Sequence, residues 1–166
     1  MSLHNRYPAI SDLKLRARKR IPHFVWEYLD SATGSEITQA RNRSKFDDIL
    51  LSPSILHGEF TPDLTTTFLG RDYPMPVGIA PVGMSGLIWP GAEQMLARTG
   101  AEQGIPYTIS TVATQTPEDV AGNIGDQGWF QIYPPRDAEI RGDMLKRAKD
   151  SGFHTLVMTV DVPVAS

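Results

Sequence analysis

The 166 residues contain no cysteine, which excludes a disulfide framework, a thiolate metal site and a cysteine nucleophile. Charge of one dominant sign is also missing. Sixteen Lys and Arg face nineteen Asp and Glu for a net charge of −3, and the basic residues are scattered, so the footprint of a nucleic-acid binder is absent. The sequence has no run of about 18 apolar residues to span a bilayer, and its first residues lack the apolar core of a secretory signal. Cytoplasm is the expected compartment, with peripheral attachment at the inner face of the membrane left open. There is no P-loop, no GxGxxG following a strand and no HExxH, which disfavours nucleoside triphosphates, a dinucleotide cofactor and zinc. No metal site is expected.

What is present is a globular composition, 40% hydrophobic and 21% charged, in two stretches of different character. Ser11 or Asp12 can cap a basic helix reaching Arg20, Pro22 opens a second helix over His23 to Ser31 ended by Gly34, and a third covers Glu36 to Ile49. Residues 50–76 hold Pro53, Pro62, Pro74 and Pro76 with a Thr65-Thr66-Thr67 run, a pattern of irregular connections and a short hairpin. Residues 1–76 therefore read as a wrapper. From residue 77 short apolar runs alternate with amphipathic segments, the pattern of βα units on a parallel sheet. The expected strands are Val77 to Pro81, Tyr107 to Ser110, Trp129 to Tyr133 and Thr155 to Val160. Between them, Glu93 to Gln103 is a helix ended by Gly104, Thr116 caps one with Pro117 at its first position and Asp119 three residues on, and Asp137 starts one stopped by Gly152. In the last, Ile140, Met144, Leu145 and Ala148 form an apolar stripe expected to pack on the sheet.

Functional groups in parallel α/β proteins gather beyond the C-terminal ends of the strands. There the sequence offers Ala80-Pro81-Val82-Gly83, which lets backbone approach a flat ligand or simply makes a tight turn. Next come the hydroxyls of Ser110 and Thr111, which can serve a ligand or their own loop. Gln131 and Tyr133 share one side of the third strand by alternation, as either a heterocycle-binding pair or a satisfied core pair. Thr159 and Asp161 close the fourth strand, and a carboxylate there needs a cationic or imidazole partner. His4, His23, His57 and His154 all fall away from these ends.

Taken together, Met75-Pro-Val-Gly-Ile-Ala-Pro-Val-Gly83, Thr108-Ile-Ser-Thr111, Trp129-Phe-Gln-Ile-Tyr133 and Thr159-Val-Asp-Val-Pro163 resemble the FMN-dependent 2-hydroxy acid dehydrogenase and oxidase family. Ile21-Pro22 with Tyr28, and Arg41-Asn42-Arg43, extend the resemblance to almost the whole chain. It implies a (β/α)₈ TIM barrel holding FMN at its mouth, of which 1–166 supply the N-terminal half: the wrapper over 1–76 and the first four βα strands over 77–166. The resemblance implies further that the backbone of Pro81, Val82 and Gly83 lies along the flavin and that Ser110, Gln131 and Thr159 bond or approach its edge. Tyr28 binds the substrate carboxylate, Tyr133 sits near the substrate hydroxyl, and Asp161 pairs with a catalytic histidine. The implied reaction is oxidation of a small (S)-2-hydroxy acid, L-lactate first, to the 2-keto acid.

The family's catalytic His, its flavin-contacting Lys and its substrate Arg residues belong to later strands. A barrel takes eight units and about 250 residues, so the expectation is a piece of a longer protein that neither folds nor acts alone and whose partner is the missing C-terminal half. The electron acceptor is a quinone, a cytochrome or oxygen, and the implied assembly is a homotetramer. Val112 stands where oxidase members often carry Trp, which favours a lactate dehydrogenase-like member over a plant-type glycolate oxidase. A flavin-free phosphate-binding barrel enzyme and a non-catalytic half-barrel interaction module are the rival readings.

Overall fold

The computed structural model describes residues 3–160, which divide into two units between Pro62 and Asp63. The first is helical: α1 (Leu3–Arg6), α2 (Ile10–Arg18), α3 (His23–Asp30) and α4 (Ile37–Ser44). Asp12 is not the cap of α2 but a first-turn residue, its carboxylate accepting the Ala9 N–H at 3.1 Å. Pro22 caps α3, which buries Val25 and Trp26 on one face. The expected third helix is cut short: α4 stops at Ser44, and Phe46, Asp47 and Ile49 make only turns of three residues. Aspartates at positions 47 and 48 compete for backbone and side-chain partners and weaken helix continuation there, and Asp48 instead pairs with Lys45 at 2.7 Å.

In the second unit the Thr-rich run forms the expected hairpin, β1 (Thr66–Phe68) with β2 (Arg71–Tyr73), Phe68 opposite Arg71. Its two-residue turn, Leu69-Gly70, has φ of 51° and 75°, the doubly left-handed geometry that matches the twist of paired strands. Phe68 stacks on Trp129 at 5.8 Å between centroids, and Arg71 grips Asp126 with both guanidinium nitrogens at 2.8 and 3.2 Å. The hairpin is thereby fixed beside the start of the central strand.

The sheet has three parallel strands in the order β3 (Tyr107–Ser110), β4 (Gly128–Ile132), β5 (Thr155–Met158). The expected strand over 77–81 is reduced to one bridge, Ile79 to Tyr107, with hydrogen bonds of 2.7 Å to Pro106 O and 3.0 Å from Thr108 N. Pro76 and Pro81 lack the N–H groups that would lengthen it. β4 begins one residue earlier than expected and ends before Tyr133, and β5 ends before Thr159. A further short helix, α5 (Ser85–Ile88), precedes α6 (Ala92–Gln103); α7 (Pro117–Val120), a 3-10 turn and α8 (Ala138–Asp150) complete the set.

Alternation separates two faces of the sheet. Tyr107, Ile109, Phe130 and Ile132 point to the helices and form the core with Ala97, Val120, Ile124, Ala148 and Phe153. Gly100 lets α6 lie against β3, since a Cβ there would meet Ile105 O and Tyr107 Cβ at 3.1 Å. Of the α8 stripe, Ala148 is buried and Met144 packs on this core, while Ile140 stays 56% exposed. The caps are those expected: Thr116 and Asp119 form a capping box, Asp137 accepts the N–H groups of Glu139 and Ile140, and α6 ends at left-handed Gly104.

Candidate functional site

Register brings the polar groups of the opposite face together. Ser110 pairs with Gln131 across β3 and β4, and Gln131 with Val157 across β4 and β5. Thr159, two residues beyond Val157, therefore follows on the same side. The Ser110 hydroxyl donates to Gln131 Oε1 at 3.0 Å, the Thr111 N–H reaches the same oxygen at 3.1 Å, and Gln131 Nε2 donates to Thr159 Oγ1 at 2.8 Å. Ser110 and Gln131 are buried, at 6% and 2% exposure, so this pairing removes the cost of placing their polar atoms away from water. The amide of Gln131 is consequently locked in one orientation. The loop beyond β3 is tied to the same network: Val112 N–H donates to Ser110 Oγ at 3.2 Å, and Thr111 Oγ1 donates to Gln131 O at 2.5 Å while accepting Tyr133 N–H at 3.2 Å.

Beside it lies the loop carrying Pro81, Val82 and Gly83. Val82 is 39% exposed, and the next residue, Met84, takes a left-handed φ of 52° and donates its N–H to Val112 O at 2.8 Å. The structure thus brings together Pro81, Val82, Gly83, Ser110, Gln131, Tyr133 and Thr159 at one end of the sheet. Tyr133 keeps its ring 41% exposed there. Tyr28 belongs to the first unit, on α3, and is half exposed. Asp161 lies outside the described residues.

His154 precedes β5 at the far end of the strands, bonded to Thr155 Oγ1 at 2.8 Å, and burial with the nearby Arg71 charge lowers its pKa. His23 is exposed on α3. Among the described residues no group of three or more His, Asp or Glu side chains could hold a metal ion, and no helix is long and apolar enough to cross a membrane.

Sequence reasoning missed Glu93. It sits in the first turn of α6 with no exposed surface, and its Oε1 accepts Gly86 N–H at 3.0 Å, Thr114 N–H at 3.0 Å and Thr114 Oγ1 at 2.8 Å. Burial opposes its charge, but the Thr114 hydroxyl, backbone N–H groups and the Ser85 hydroxyl outweigh that and hold the carboxyl below its ordinary pKa. Tyr107, buried and near this charge, has its phenol pushed up.

The donor set at the strand ends suits the edge of a flavin ring. A fixed carboxamide and two hydroxyls can both give and take hydrogen bonds, and one Nε2 hydrogen of Gln131 goes to Thr159, leaving the other for a ring acceptor. The comparisons agree with this chemistry. Residues 17–166 match the family described as FMN-dependent dehydrogenase. The chain is 38% identical over 154 residues to the L-lactate dehydrogenase of Xanthobacter autotrophicus, covering 93% of this chain and 40% of that protein. It is 39% identical over 156 residues to the L-lactate dehydrogenase of Stenotrophomonas maltophilia, covering 94% and 41%. Among solved structures it superposes on a soluble mutant of the membrane-associated (S)-mandelate dehydrogenase from Pseudomonas putida with TM-score 0.86 and 35% identity, over 93% of this chain and 44% of that one. Mandelate oxidase matches with TM-score 0.85 and 32% identity, over 95% and 46%. The chain therefore spans about two fifths of the length of these curated relatives, and it belongs to the FMN-dependent dehydrogenase family, the oxidoreductases of 2-hydroxy acids.

Proposed function

We propose that this chain forms the first half of a (β/α)₈ barrel that oxidises a small (S)-2-hydroxy acid, L-lactate by preference, to the 2-keto acid. The observation that carries the reading is the Ser110–Gln131–Thr159 network, a rigid polar edge at the strand ends where such barrels bind ligands. FMN supplies the electron sink when bound. The residues of this chain orient and enclose. The backbone of Pro81 to Gly83 would flank the ring and Ser110 and Gln131 would bond its edge, while Thr159 fixes the Gln131 amide. Tyr133 offers its phenol to the substrate hydroxyl, Tyr28 takes the substrate carboxylate, and Asp161 holds the imidazole of the base. That histidine comes from elsewhere in the assembled enzyme; His154 lies at the opposite end of the strands from Ser110 and Thr159.

The outer face of β5 supports the barrel reading, because Leu156 and Met158 are 50% and 57% exposed where a further helix would cover them. We place the enzyme in the cytoplasm or at the inner face of the membrane, as a homotetramer passing electrons to a quinone, a cytochrome or oxygen. The preference for L-lactate rests on the named relatives and on Val112, which is 46% exposed beside the site. The structural likeness to mandelate enzymes favours an aromatic substrate as the second reading. Anaerobic flavin bleaching with L-lactate, D-lactate and (S)-mandelate separates the two. We expect L-lactate to reduce the flavin fastest and D-lactate not at all; faster reduction by (S)-mandelate would replace lactate as the substrate, and inertness toward all three would refute the oxidation.

A further inference from the structure

We propose that Glu93 is a positioning residue whose buried carboxylate clasps the loop following Ile79 to the loop following β3, and so sets the spacing between the Pro81–Gly83 backbone and the Ser110–Gln131 pair. The proposal rests on the flavin-site reading above but stands on its own geometry. Oε1 alone accepts three donors, Gly86 N–H from the short helix α5 that ends one loop and both Thr114 N–H and Thr114 Oγ1 from the other loop. A neutral amide oxygen accepts three donors only weakly, whereas the negative charge of a carboxylate oxygen makes each such bond charge-assisted. The contact is close-fitted: a Cβ on Gly86 would lie 1.9 Å from Thr114 Oγ1 and 3.1 Å from Glu93 Oε2.

Oε2 is buried as well, and the Ser85 hydroxyl of α5 helps to stabilise the carboxylate charge. From the clasp the bonds continue to the site, through Met84 N–H to Val112 O at 2.8 Å and Val112 N–H to Ser110 Oγ at 3.2 Å. Ser110 then holds Gln131. A charge at the start of α6 thus governs the alignment of two loops that would flank the flavin, with no contact of its own to the reacting atoms.

The test compares Glu93→Gln, Thr114→Val and Thr114→Ser in the holoenzyme by amide hydrogen exchange, FMN dissociation and steady-state kinetics. In Glu93→Gln and Thr114→Val the amides of 83–87 and 111–115 should exchange about tenfold faster, the equivalent of one lost charge-assisted hydrogen bond, while the β3–β5 amides stay protected. FMN should dissociate about tenfold more readily and kcat should fall with KM little changed. Thr114→Ser keeps the hydroxyl and should restore wild-type values. Unchanged loop exchange in both variants, or loss of protection spread evenly through the sheet, overturns the positioning role. Loop-specific exchange in a wild-type protein that binds no FMN would leave the clasp standing and overturn the flavin reading instead.

Discussion

Gln131 concentrates the argument at the scale of single residues. It is 2% exposed, yet its amide serves Ser110, the Thr111 N–H and Thr159. Replacing it with Leu keeps the volume roughly constant and strands the hydroxyls of its neighbours, so Gln131→Leu should lower stability by about 1–3 kcal/mol in urea unfolding and weaken FMN binding in a fluorescence titration. Stability and flavin affinity both at wild-type level would show that the network is incidental. The alternation of Trp129-Phe-Gln-Ile-Tyr133 makes Gln131 legible from the sequence, because a polar residue on the inner side of an apolar strand demands a partner. Glu93 is not legible in that way. As an acid in a helix's first turn it looks like an ordinary dipole partner, and only folding brings Gly86 and Thr114 to it from 7 residues before and 21 residues after.

Among the elements, those whose ends carry their own chemistry were readable. Thr116-Pro117 with Asp119, Asp137 before α8 and Gly104 after α6 each set a boundary through local bonds or backbone freedom, and the structure places them there. The strand over 77–81 was not, because its apolar run says nothing about how few N–H groups remain between prolines to pair with β3. The four-residue α5 carries no periodic signal long enough to detect.

Tertiary ion pairs are equally invisible beforehand. Arg147 of α8 holds Glu118 of α7 through two bonds of 2.7 and 3.0 Å, and this guanidinium brings the Glu118 carboxyl down to about 2. A folded-state pKa below the ordinary 4.5 means the pair's stabilisation is present above pH 4.5 and lost as pH falls toward 2. Both side chains are 45% exposed, so the pair contributes about 0.2–1 kcal/mol. Glu118→Gln should cost that much at pH 7 and flatten the decline of melting temperature between pH 4.5 and 2. An unaltered acid profile would remove the pair from the account.

At the scale of the molecule, parallel βα order, a hairpin before the sheet and polar strand ends were all present in the residue pattern. The helices α2 to α4 were legible too, whereas the role of this unit as a wrapper about the barrel remains part of the proposal. Pattern could not supply register, and register is what turns Ser110, Gln131 and Thr159 from three polar residues into one edge. That edge makes the central claim testable without knowledge of the substrate. The direct measurement is the visible absorption spectrum of the purified full-length enzyme that contains this chain, with its released chromophore identified by mass. The account predicts a yellow protein carrying one FMN per chain, whereas a folded, colourless protein that takes up no added FMN would contradict it.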